Sequence, residues 1–153
     1  MNNYDFSALK EIGFTLLSEG KTLKIRADGY SMYPSIKPGS VVFIEPATDV
    51  SSFEYGDIVA WKLEKGFIVH RIIRKFEKDK KLFFVTRGDC NLHEDIPLPA
   101  ILIAGKVIRI EYPEGNPVPL KPYGKRKTYY LFNRLSVMIM KLTRSFLNTS
   151  PVY

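Results

Sequence analysis

Three consecutive stretches decide the fold: Asp57-Ile58-Val59-Ala60-Trp61-Lys62-Leu63, then Glu64-Lys65-Gly66, then Phe67-Ile68-Val69-His70-Arg71-Ile72-Ile73-Arg74-Lys75. The first and third are rich in β-branched and aromatic residues, and the polar, glycine-bearing break between them has the length of a hairpin loop. The pair reads as two antiparallel strands. In the second strand, alternation sets Ile68, His70 and Ile72 on one face and Val69, Arg71 and Ile73 on the other, so an imidazole lies half-buried among isoleucines.

Outward from this hairpin the same pattern recurs. Thr22 to Ala27, Val41 to Glu45, Leu82 to Arg87 and Ile101 to Ile110 are short runs of strand type, with Asp79-Lys80-Lys81 as a second reversal. The implied fold is mainly β, an antiparallel sheet or barrel. Before it, Tyr4 to Ser18 carries Phe6, Leu9, Gly13, Leu16 and Leu17 near helical spacing, with Gly20 as a stop signal, which predicts one short amphipathic helix. A helix-turn-helix DNA reader is excluded, because the next segment is a strand rather than a second helix.

The organisation is therefore an N-terminal helix over 1–20, a β-rich region over 21–112, and a linker and tail over 113–153. Pro113, Pro117, Pro119 and Pro122 cannot continue a helix or a central strand. Beyond them Leu131, Leu135, Met138, Leu142 and Phe146 recur at spacings of three and four, predicting an amphipathic C-terminal helix.

The chain has 153 residues, 45% hydrophobic and 25% charged, a profile that suits one folded domain with its own core. Its net charge of +7 resides in the tail, since from Gly115 onward Lys121, Lys125, Arg126, Lys127, Arg134, Lys141 and Arg144 face no Asp or Glu. Such a tail either docks its apolar stripe on the sheet or lies on an anionic membrane surface. Nucleic acid is disfavoured as a partner, because the aromatics are not interleaved with the basic residues. No run approaches the roughly 18–20 apolar residues of a membrane span, and no N-terminal secretory signal is visible, so a cytoplasmic or peripheral membrane location is expected. Cys90 is the single cysteine and forms no internal disulfide.

Chemistry concentrates in three segments. In Gly29-Tyr30-Ser31-Met32-Tyr33-Pro34-Ser35, Gly29 and Pro34 frame a turn that can present Ser31 as a nucleophile, with Gly29 expected to let the backbone fold closely. His70 is a proton acceptor suited to a hydroxyl nucleophile, or a core histidine satisfied by a carbonyl. Arg87-Gly88-Asp89-Cys90-Asn91-Leu92-His93-Glu94-Asp95 supplies Asp89 and Asp95, either able to orient His70, or else a solvated turn. Cys90, His93 and Asp95 fall short of a closed zinc site, with one thiolate and one nearby imidazole, so neither metal nor cofactor is expected.

The order of these segments resembles signal peptidase I. Gly29-x-Ser31-Met32-x-Pro34, Gly56-Asp57-Ile58-Val59, His70-Arg71, Gly88-Asp89-x-Asn91 with Asp95, and Ile103-x-Gly105-Lys106-Val107 look like its boxes, in the endoplasmic-reticulum and archaeal form that uses His as base. The resemblance implies a coiled antiparallel sheet, partly barrel-like, shared with the self-cleaving SOS repressors. It implies Ser31 as nucleophile, His70 as general base and Asp95 as the residue orienting it. Asp89 becomes a second aspartate of that loop, and Met32 a packing residue beside the substrate cleft. The expected activity is a serine endopeptidase that removes a leader or signal segment from polypeptides, preferring small residues one and three positions before the cut. Gly29 and Tyr30 stand where many relatives carry Ser-Gly, and the usual N-terminal membrane span is absent. The alternative is a non-catalytic peptide-binding or regulatory module of the same fold.

Overall fold

A computed structural model describes residues 4–63, 66–120, 135, 138 and 139. The elements are α1 (Tyr4–Ser18), β1 (Leu23–Ala27), β2 (Ser40–Pro46), β3 (Ile58–Leu63), β4 (Gly66–Lys78), β5 (Lys81–Arg87), β6 (Leu98–Pro99), β7 (Ile103–Glu111) and β8 (Pro117–Val118). The strands form one antiparallel sheet in the order β1-β2-β7-β3-β4-β5-β6, with β8 paired to the end of β7. The sheet curls into a half-barrel, as the mainly β expectation requires.

The two strands expected on either side of Glu64 and Lys65 pair antiparallel as β3 and β4, with Leu63 opposite Gly66, while residues 64 and 65 lie outside the described residues. β3 is central, flanked by β7 and β4, and its residues 58 to 61 are buried on both faces. Ile58 and Ala60 enter one core with Met32, Ile36, Val42, Ile44 and Val107, while Val59 and Trp61 enter a second with Ile72, Phe84 and Ile103. A continuous apolar run is what burial on two faces demands. α1 covers the first core, and Phe14 stacks on Phe67 of β4 at 4.5 Å between ring centroids. Gly13 permits this approach, since a Cβ there would lie 2.9 Å from the Phe67 ring.

Three bulges bend the sheet. The pairing skips Ile73 on β4, and Ala104 and Ile108 on β7. Each inserts an unpaired residue, increases local twist and shifts the inward face by one position. Burial along β7 shows the shift: Ile103, Gly105 and Val107 are buried, then Ile110 rather than Arg109.

The strand expected from Ile101 begins instead at Ile103, because Ala100–Leu102 wind into a 3-10 turn behind Pro99. The proline-rich stretch is not wholly devoid of strand, since Pro117 and Val118 add a two-residue edge pairing to β7. An edge position tolerates proline because no ladder donor is needed there. The reversal at Asp79 and Lys80 is a two-residue loop with φ of 51° and 59°, the left-handed pair that matches strand twist. Leu135, Met138 and Ile139 are helical and about half exposed. Leu131, Leu142 and Phe146 of the expected C-terminal face, and the basic residues around them, lie outside the described residues. Among the described residues no helix is long and apolar enough to cross a membrane.

Candidate active site

β4 changes partner in mid-strand. Residues 66 to 71 pair with β3 and residues 71 to 78 with β5, whose last residue, Arg87, lies opposite Arg71. Beyond that point the chain leaves the sheet, and the loop from Gly88 to Asp95 brings its carboxylates to His70 and Arg71.

His70 is 6% exposed, deeper than the half-buried position expected. Its Nδ1 lies 2.6 Å from Asp95 Oδ2, and the same oxygen accepts the Thr86 hydroxyl at 2.7 Å. A carboxylate only accepts, so Nδ1 carries a proton, and in the neutral ring Nε2 then keeps its lone pair. Asp95 is further held by its own N–H, which donates to the Thr86 carbonyl at 2.9 Å.

Asp89 does not address the imidazole. Its two oxygens receive Arg71 Nε at 2.8 Å and Nη2 at 2.7 Å, a buried bidentate pair. Arg71 also donates to the Gly56 carbonyl at 2.7 Å and to Ser35 Oγ at 3.2 Å. One guanidinium thus ties β4 to the turn before β3, to the Asp89 loop and to the Ser31 turn. Its planar fork suits this better than a lysine, which would offer a point charge.

The Ser31 turn is fixed from two sides. Met32 and Ile36 insert into the first core, and the Ile36 N–H donates to the Met32 carbonyl at 2.9 Å. On the other side the Ser31 carbonyl accepts the Cys90 N–H at 2.7 Å. Gly88 makes this contact sterically feasible, because a Cβ there would stand 2.6 Å from that carbonyl oxygen. Gly29 does not have the role expected of it: a Cβ would meet open space, and its φ lies outside the left-handed region. Among the described residues the Ser31 hydroxyl forms no hydrogen bond, so His70 and Asp95 are joined while Ser31 and His70 are not. The Ser31 backbone N–H is likewise without an acceptor among the described residues, which suits a donor awaiting an oxyanion.

Thr86 is the residue that sequence reading overlooked. A threonine in a strand is ordinary, and its one signal was position, on the last buried stretch of β5 before the polar loop. His93 is exposed, and among the described residues no cluster of three His, Cys, Asp or Glu side chains is arranged to hold a metal.

The profile of the Peptidase S24-like family matches residues 5–108. Signal peptidase I W of Bacillus subtilis is 34% identical over 77 residues, covering 50% of this chain and 40% of that protein. The signal peptidase complex catalytic subunits of Neurospora crassa and Pyricularia oryzae are 36% and 37% identical over 73 residues, each alignment covering 46% of this chain and 42% of the relative. The chain thus matches about two-fifths of the length of these relatives.

Proposed function

The chain belongs to the Peptidase S24-like family, and from that membership we propose that it is a serine endopeptidase cleaving a leader or signal segment from polypeptide substrates. The observation that carries the reading is the 2.6 Å contact between His70 Nδ1 and Asp95, beside a Ser31 turn anchored on the same loop. Asp95 holds the imidazole in one tautomer and stabilises it when charged. Nε2 then takes the Ser31 proton as Oγ bonds to the scissile carbonyl carbon, and the oxyanion meets the Ser31 N–H. The imidazolium returns that proton to the leaving amine, the C–N bond breaks, and an acyl-enzyme remains. Water, deprotonated by His70, hydrolyses the ester and restores Ser31. The Ser31 to His70 hydrogen bond forms on substrate binding, since catalytic hydrogen bonds commonly tighten only in the complex.

Substrate lies extended along a sheet edge, where backbone pairing aligns a scissile bond without demanding one sequence. The second reading, a peptide-binding module without turnover, is favoured by Gly29 and Tyr30 standing where many relatives carry Ser-Gly, and by the unbonded Ser31 hydroxyl. Ser31→Ala separates the two. Cleavage of a leader-bearing peptide is expected to fall at least about 10³-fold with the fold retained by circular dichroism. A variant that still cuts removes Ser31 as nucleophile, and one that keeps its cellular role without cutting favours the module.

A further inference from the structure

We infer that Thr86 is a positioning residue of this site, holding the Asp95 carboxylate in the one orientation that presents Oδ2 to His70 Nδ1. The inference rests on the roles proposed above for Ser31, His70 and Asp95. Thr86 is fully buried on β5, and it grips Asp95 twice across the intervening loop: its carbonyl takes the Asp95 N–H at 2.9 Å and its hydroxyl donates to Oδ2 at 2.7 Å. The Asp95 side chain is 20% exposed, so without the second grip its carboxylate is free to turn toward water. A turned carboxylate leaves the buried imidazole without an acceptor at Nδ1, and the tautomer that frees Nε2 is no longer enforced.

Threonine is suited to the task. Its branched Cβ limits χ1, so the hydroxyl is aimed before Asp95 arrives, and burial removes competition from solvent. The hydroxyl spends its single proton on Oδ2, which leaves that oxygen only the role of acceptor toward Nδ1.

Thr86→Val keeps the shape and deletes the donor, while Thr86→Ser keeps the donor and deletes the methyl. With a cleavable leader peptide, Thr86→Val is expected to lower kcat about 10- to 100-fold with KM changed less than about 3-fold, and Thr86→Ser to recover most of the loss. Imidazole nitrogen NMR supplies a readout independent of turnover, and with only two histidines in the chain the His70 signal is assignable. The full-length wild type should show a single Nδ1–H form, and Thr86→Val a mixture of tautomers. An unchanged tautomer in Thr86→Val, or a Thr86→Ser variant as impaired as Thr86→Val, overturns the inference. If Thr86→Val fails to fold, Thr86→Ala set against Thr86→Ser makes the same comparison. A wild-type chain that cuts nothing defeats the proposed function instead, and the NMR comparison still decides whether Thr86 holds Asp95.

Discussion

The two halves of β4 obey different physics. From Arg74 to Lys78 the strand runs beside β5, joined by the two-residue loop at Asp79 and Lys80. Phe76 stacks on Phe83 at 5.6 Å, and Arg74 lies over the Phe76 ring. From His70 to Ile72 the strand instead holds an imidazole and a guanidinium in the interior, and their partners come from three other segments, the Gly88 to Asp95 loop, the turn before β3 and the Ser31 turn. The outer half is held by its hairpin partner β5 and by solvent-accessible contacts of Arg74 with Glu94 and of Lys75 with Ser51 and Glu54, where water can replace a lost partner, so it tolerates change one residue at a time. The inner half is collective, because a buried charge that loses one partner has no water to replace it.

The comparison is broken most severely at Asp89. Asp89→Ala takes the bidentate carboxylate away from the buried Arg71 guanidinium, and urea unfolding is expected to show a loss of about 3–5 kcal/mol, with cleavage lost as well. A near-silent Asp89→Ala would mean that the inner half is as forgiving as the outer. Gly88→Ala is the intermediate case. Its Cβ must push the Ser31 carbonyl away, at a cost of about 1–3 kcal/mol for overpacking, and kcat should fall further than stability alone explains. Smallest is Lys80→Gly in the outer half, where a non-glycine residue sits at φ 59°. Relief of that strain should raise stability by about 0.5–1 kcal/mol in the same urea assay while leaving cleavage unchanged.

Much of this molecule was legible before any coordinates. The helix at Tyr4–Ser18 and the strands flanking both hairpins fall where the periodicity placed them, because burial on one face and turn chemistry are local properties. β6 and β8 were not legible, since two residues carry no period. The bulges at Ile73, Ala104 and Ile108 also escaped notice, and with them the parity change that returns Ile110 to the core. Among the glycines, Gly29 looked necessary and is not. Gly88 and Gly105 are the demanding ones: a Cβ on Gly105 would lie 2.2 Å from the Glu45 carbonyl oxygen.

The order of residues alone determined that this chain makes a mainly antiparallel β-sheet and that Ser31, His70, Asp89 and Asp95 are the groups able to carry chemistry. Which aspartate meets the imidazole and which the guanidinium was decided only in three dimensions. That choice depends on where β5 ends beside β4 and on how the following loop folds back to Thr86, and both are set by contacts between residues far apart in sequence. Alternation reports which face a side chain takes; it carries no information about what the opposing segment brings to that face.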